Sequence, residues 1–385
     1  MNSFDIIETV TNSTPVNVSL EEYLIIVRGP KFLPLKILLP ITFTYGILFI
    51  SGLFGNLAVC IVIAYNKSMH NATNYYLFSL AMSDLVLLLL GLPNDLSVFW
   101  QQYPWILGLL VCKLRALVSE MSSYVSVLTI VAFSVERYTA ICYPLKSYTT
   151  DKLNRVIKVI GTLWLISLGF AAPFAIYTTI DYVDFPPGSG KAVIESAFCA
   201  MLKQNVPADV PLYELSCTLF FICPAVILIF LYVRIGLTIK NNTKLRGNVH
   251  GELQSIQSKK SIVSMLMAVV VAFFICWAPF HMQRLIYVYM SDYPWYGIVN
   301  VWLYYISGIF YYFSATINPI LYNLMSLKYR KAFKQTLWCR KYNRIIKTPG
   351  LRETNSTSGQ VNKSIKSMNM QHNQSLLANN IEDIT

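Results

Sequence analysis

Long stretches of this chain carry no charge. No Asp, Glu, Lys or Arg lies between Lys36 and Lys67, between Lys158 and Asp181, between Glu214 and Arg234, between Lys260 and Arg284, or between Asp292 and Lys328. A helix needs about 20 mostly apolar residues to cross the hydrocarbon layer of a bilayer, and each interval reaches or nearly reaches that length. Two further apolar stretches, about Thr73 to Trp100 and about Leu109 to Cys142, hold Asp84, Asp95, Glu120 and the pair Glu136, Arg137. Counting them gives seven spans. The composition agrees, since 55% of residues are hydrophobic and 13% charged, against roughly 25% charged in soluble domains. A soluble core and a disordered chain are both excluded. The expectation is an all-α membrane protein, a seven-transmembrane helix bundle with a short amphipathic eighth helix.

Most of the 31 Lys and Arg residues fall on one side if the N-terminus is placed outside, as the positive-inside rule requires. The net charge of +12 is then a topology signal and an attraction to the inner leaflet, not a nucleic-acid footprint. Residues 1–39 form an extracellular N-terminal segment whose start, Met1 to Val10, is too polar for a cleavable signal peptide. The bundle occupies 40–325. Residues 326–340 alternate Lys328, Arg330, Lys331 and Lys334 with Phe333, Leu337 and Trp338, which suits a helix lying on membrane lipid, with Cys339 placed for palmitoylation. Residues 341–385 are too polar to fold and open to kinases. Sequons at Asn12 and Asn17 face outward and are expected to be glycosylated; those at Asn66 and Asn71 face inward. Four cysteines lie within spans and two near the cytosol. Cys112 and Cys199, at the outer end of span 3 and in the outer loop after span 4, remain for a disulfide.

A charge at membrane depth costs several kcal/mol and normally faces a polar path or a partner. Asp84, with Ser126, Ser314 and Asn318 on other spans, reads as a hydrated cavity able to hold a sodium ion; a polar plug between helices is the plainer alternative. Glu136-Arg137-Tyr138 at the cytoplasmic end of span 3 reads as an electrostatic latch, or simply as side chains reaching the interface. Pro279 in span 6 and Pro319 in span 7 free backbone carbonyls and make bendable points.

Taken together and in order, Gly55-Asn56, Leu80-Ala81-Met82-Ser83-Asp84, Glu136-Arg137-Tyr138, Trp164, Pro224 with Tyr232, Cys276-Trp277-Ala278-Pro279 and Asn318-Pro319-Ile320-Leu321-Tyr322 give every span a match. The chain resembles the rhodopsin-like (class A) G-protein-coupled receptors. Ser119 to Tyr124, Glu195 to Leu202 and Cys276 to Leu285 look like the neuromedin U, pyrokinin and CAPA peptide receptors. The usual Asp-Arg-Tyr is Glu-Arg-Tyr here, and Lys259 and Lys260 stand at the foot of span 6 where some relatives have an acid.

This resemblance implies a plasma-membrane receptor for short amidated neuropeptides ending in Pro-Arg-X-amide, acting through a heterotrimeric G protein of the Gq type, with arrestin and receptor kinases as later partners. Glu120 sits about 12 Å below Cys112 and can pair bidentately with a guanidinium; Asp95, about three turns outward of Asp84, offers a second acid. Arg284, about 10 Å above Trp277 with His281 between, can donate to the peptide's terminal carbonyl, or pair with Glu120 in the empty receptor. Ligand binding is expected to move span 6 through Trp277, Phe273 and Pro279, to rearrange Asp84, Asn318 and Tyr322, and to have Arg137 and Tyr232 hold the opened cleft. No cofactor is called for apart from an allosteric sodium ion. A receptor for another cationic peptide is the alternative. A transporter lacks its expected repeats, and no motif of catalytic chemistry is present.

Overall fold

The computed structural model describes residues 18–143, 152–207, 209–246, 250–325 and 327–337. The glycosylation sites Asn12 and Asn17, Cys339 and the tail 341–385 lie outside them.

A short helix, α1 (Leu20–Arg28), opens the described chain, started by a capping box in which the Ser19 hydroxyl accepts from the Glu22 amide and the Glu22 carboxylate reaches back. The seven spans follow. They are α2 (Leu35–Tyr65), α3 (Ala72–Trp100), α4 (Gly108–Cys142), α5 (Lys152–Tyr177), α6 (Leu212–Cys217, Thr218–Ile222 and Cys223–Arg246), α7 (His250–Met290) and α8 (Tyr296–Met325). A last helix, α9, covers Leu327–Leu337 and buries Tyr329 and Ala332. Helices α2 to α7 are long and apolar enough to cross a membrane, and α8, uncharged but rich in tyrosine, packs against α7 and α2 to complete the bundle. Phe43, Leu165 and Ile298 are each 71% exposed, a placement that makes sense only where lipid is the solvent.

Two of the spans contain a widened turn, and each stands beside a proline. In α3 the turn Leu87–Gly91 precedes Pro93, and in α6 the turn Thr218–Ile222 precedes Pro224. Proline cannot donate and its ring clashes with the carbonyl four residues back, so the helix loosens there and the next amides reach five residues back, Leu92 to Leu87 and Cys223 to Thr218. Elsewhere the helices meet closely. A Cβ on Gly55 would come 3.0 Å from Pro319, which is why α2 can lie against the bend of α8. Asn56 then donates to the Gly52 and Ala315 carbonyls, and Trp164 donates to Ser79 at 3.0 Å.

The chain is the all-α bundle expected, with one β-hairpin added in the loop between α5 and α6. Strands β1 (Thr179–Asp184) and β2 (Ala192–Ala200) pair antiparallel between α5 and α6, with Ile180 opposite Cys199. The Cys112–Cys199 disulfide joins β2 to the start of α4, as expected. Helix α1 lies on this hairpin: Arg28 pairs with Asp181 at 2.5 Å and sits over the Phe198 ring, and Tyr23 meets Phe185. Pro40 is accommodated within α2, whose helix begins at Leu35.

Candidate ligand pocket and switch residues

Beneath the hairpin, α4, α6 and α7 converge on one carboxylate. Glu120 is 2% exposed, and both of its oxygens accept from the guanidinium of Arg284, one of them at 2.9 Å. The bidentate pair joins α4 to α7. Charge of this kind is stable in a dry interior only when its remaining contacts are good. Here they are, because the guanidinium lies 3.9 Å from the Phe280 ring centre, 5.2 Å from Tyr213 and 5.5 Å from Phe174. Tyr124 adds a third donor to Glu120 at 2.9 Å.

Asp95 stands nearer the hairpin and has its own arginine. Arg115 Nε on α4 donates to it at 2.9 Å, and the Tyr312 hydroxyl on α8 donates at 2.6 Å. This pair is about one-quarter exposed on each side, so water reaches it. His281, the fourth residue expected at the ligand, is 5% exposed and packs between Phe221 and Phe280, at 4.9 and 5.4 Å between ring centres.

Below the pocket the aromatic stack begins. Trp277 is 2% exposed, stacked on Phe273 and edge-on to Phe280 and Tyr311. Tyr311 also exchanges a 2.8 Å hydrogen bond with Ser119, one residue before Glu120. Asp84, 3% exposed, accepts from Asn318 Nδ2 at 3.0 Å, and no ion pair involves it among the described residues. Ser83 donates to the Leu80 carbonyl, so in its 3.1 Å contact with Ser126 the proton comes from Ser126; Ser314 donates to the Tyr311 carbonyl. Ser126 and Ser314 have thus used their protons and retain oxygen lone pairs.

At the far end from the hairpin, Glu136 pairs with Arg155 of α5 at 2.7 Å. Arg137 lies over Phe133, and its buried Nε has no hydrogen-bond partner among the described residues. Tyr138 meets Tyr143 edge-on. Tyr232 bonds Ser134 at 3.1 Å, and Tyr232 and Tyr322 line one crevice together with Phe133 and Val269. The side chains of Lys259 and Lys260 fall outside the described set.

The family model described as 7 transmembrane receptor (rhodopsin family) matches residues 55–322. The chain belongs to this family. Among its relatives are a neuromedin U receptor homologue of Caenorhabditis elegans, 38% identical over 83% of this chain and 85% of the relative. The pyrokinin-1 receptor of Drosophila melanogaster is 36% identical over 82% and 84%, and neuromedin-U receptor 2 of Mus musculus 35% identical over 85% and 83%. The protein is thus a G-protein-coupled receptor of the neuromedin U and pyrokinin group, and no enzyme.

Several residues around the candidate site were not singled out from the sequence. Arg115 was legible, since it too is a charge within the interval Leu109 to Cys142, but its partner depends on how α3 and α4 are rotated. Arg155 as partner of Glu136, and the cradle of Phe174 and Tyr213 around Arg284, depend likewise on helix orientation and leave no mark in spacing. Tyr124 sits one turn from Glu120 and was readable as a neighbour.

Proposed function

We propose that this receptor sits in the plasma membrane with its N-terminus outside, binds short amidated peptides ending in Pro-Arg-X-amide, and activates a Gq-type G protein to release calcium. The observation that carries the reading is the buried Glu120–Arg284 pair under the hairpin. An incoming peptide guanidinium replaces that of Arg284 on Glu120, one planar fork for another, so the carboxylate is never left alone. Arg284, held among three rings, then turns its donors to carbonyls of the peptide's end. Asp95 takes a second basic group or the peptide's amides. The names of the relatives, which concern neuromedin U and pyrokinin, support this ligand class.

The exchange loosens the tie between α4 and α7. Since Pro279 lies between Arg284 and Trp277, α7 bends there as the pair separates, and the stack of Trp277 and Phe273 repacks. Agonist bound preferentially to the bent form shifts the population toward it. Asp84, Asn318 and Tyr322 rearrange, and Arg137, released from Phe133, joins Tyr232 in holding the opened end for the G protein. Sodium binding at Asp84, Ser126, Ser314 and Asn318 opposes this; a hard cation suits their oxygens and supplies charge neutralisation to Asp84. Helix α9 rests on inner-leaflet lipid with Cys339 palmitoylated, Asn12 and Asn17 carry glycans, and the tail receives kinases and arrestin. In cells, Glu120→Gln, which keeps the shape and removes the charge, abolishes peptide-evoked calcium signals while surface expression persists. Unchanged potency contradicts the assignment.

A further inference from the structure

The Tyr124 hydroxyl touches two helices at once. It donates to Glu120 Oε2 at 2.9 Å and lies 2.8 Å from Ser216 Oγ on α6. A phenol has one proton, and towards both neighbours the phenol is the donor, so that proton serves Glu120 or Ser216 but not both at once. Glu120, Tyr124 and Ser216 are 2%, 1% and 3% exposed, so no bulk water offers a substitute. The tyrosine ring stacks on Phe220 with centres 3.7 Å apart, and Phe220 belongs to the widened turn Thr218–Ile222. Its neighbour Phe221 meets His281 and Phe274 of α7, and Phe274 meets Phe273, the ring under Trp277.

We propose that Tyr124 is a positioning residue that carries the occupancy of Glu120 to α6, and from the loosened turn of α6 to the lower part of α7. The proposal rests on the reading of Glu120 as the carboxylate that takes the peptide guanidinium. When that carboxylate turns from Arg284 to the ligand, the phenol either follows it or loses its acceptor. Released, the hydroxyl gives its hydrogen bond wholly to the Ser216 oxygen on α6. No proton changes its heavy atom. The phenol proton points either to Glu120 on its own helix or across to Ser216 on α6, which gives two discrete arrangements that ligand binding can bias. The widened turn, whose backbone bonds are already longer in sequence than those of an α-helix, is where α6 absorbs the change.

The test uses the full receptor in lipid nanodiscs and a synthetic peptide ending in Pro-Arg-X-amide, with affinity measured by displacement and signalling by nucleotide exchange on the G protein. Tyr124→Phe keeps the ring stack and removes the hydroxyl. We expect affinity to stay within about threefold and signalling potency to fall more than tenfold, with Ser216→Ala acting in the same direction and the double variant no worse than Tyr124→Phe alone. If affinity and signalling fall by the same factor, or if the two substitutions add, the relay is wrong. Should Tyr124→Phe fail to reach the membrane, Ser216→Ala alone decides by the same split. Glu120→Gln separates the two readings: unchanged peptide binding in that variant overturns the recognition role of Glu120, whereas lost binding there together with equal losses in Tyr124→Phe overturns only the relay.

Discussion

The two ends of this bundle treat buried charge in opposite ways. Under the hairpin each acid has a guanidinium from another helix: Arg284 on Glu120, Arg115 on Asp95. Toward the other end the pair of Glu136 with Arg155 lies open to water, while inside Asp84 has an amide for company, the Arg137 Nε has no partner among the described residues, and neither do the hydroxyls of Thr129 and Tyr322. A satisfied ion pair opens only when a better or equal partner arrives, which is how a ligand site excludes solutes that bring no charge. Unpartnered buried donors, by contrast, cost about 1–3 kcal/mol each, so a rearrangement that satisfies them is favoured as soon as it is allowed. The hairpin end is locked and selective; the opposite end is poised. Coupling the two needs only that the lock tie down the helix whose movement the poised end awaits, and α7 carries Arg284.

Breaking the lock from one side should have the largest effect. Arg284→Ala strands the Glu120 carboxylate in a dry interior, and the expected loss of stability is about 3–5 kcal/mol, read as a large fall in the thermal midpoint of the purified receptor. Replacing both residues with glutamine restores most of that midpoint without restoring peptide binding. A single variant as stable as the parent would show that the pair is not buried as described. Asp95→Asn sharpens the contrast within the hairpin end. Its pair is about one-quarter exposed and screened by water, so stability falls by about 1 kcal/mol or less and peptide potency by about tenfold. Equal damage from Asp95→Asn and Glu120→Gln would erase the distinction between a buried lock and a wet rim. The smallest effect on stability belongs to the poised end. Tyr322→Phe removes a hydroxyl that has no partner among the described residues, so the midpoint stays level or rises while agonist-driven nucleotide exchange weakens. A clear loss of stability would mean that the hydroxyl was already satisfied.

What the sequence disclosed follows from the solvent. Lipid forces every crossing backbone to satisfy itself, so the charge-free intervals between Lys36 and Lys67 or Asp292 and Lys328 announce α2 and α8 with little ambiguity. The loop after α5 obeys no such rule. Its strands pair by backbone bonds that a chain such as Thr179–Asp184 signals weakly, and the hairpin went unforeseen. In the site, Glu120 and Arg284 were legible because each could be placed by rise along one helix from Cys112 and Trp277. Which arginine meets Asp95 was not, since that depends on the rotation of α3 past its widened turn at Leu87–Gly91.

The central claim is that the peptide's guanidinium takes the place of Arg284 on Glu120, and a thermodynamic cycle between receptor and ligand measures it most directly. Affinity is compared for a Pro-Arg-X-amide peptide and its neutral citrulline counterpart, on the parent receptor and on Glu120→Gln. Direct exchange predicts that citrulline weakens binding to the parent by about 100-fold, in line with about 2–3 kcal/mol for a desolvated charged pair, and by only a few-fold on Glu120→Gln. Equal losses on both receptors would show that the arginine is bound elsewhere.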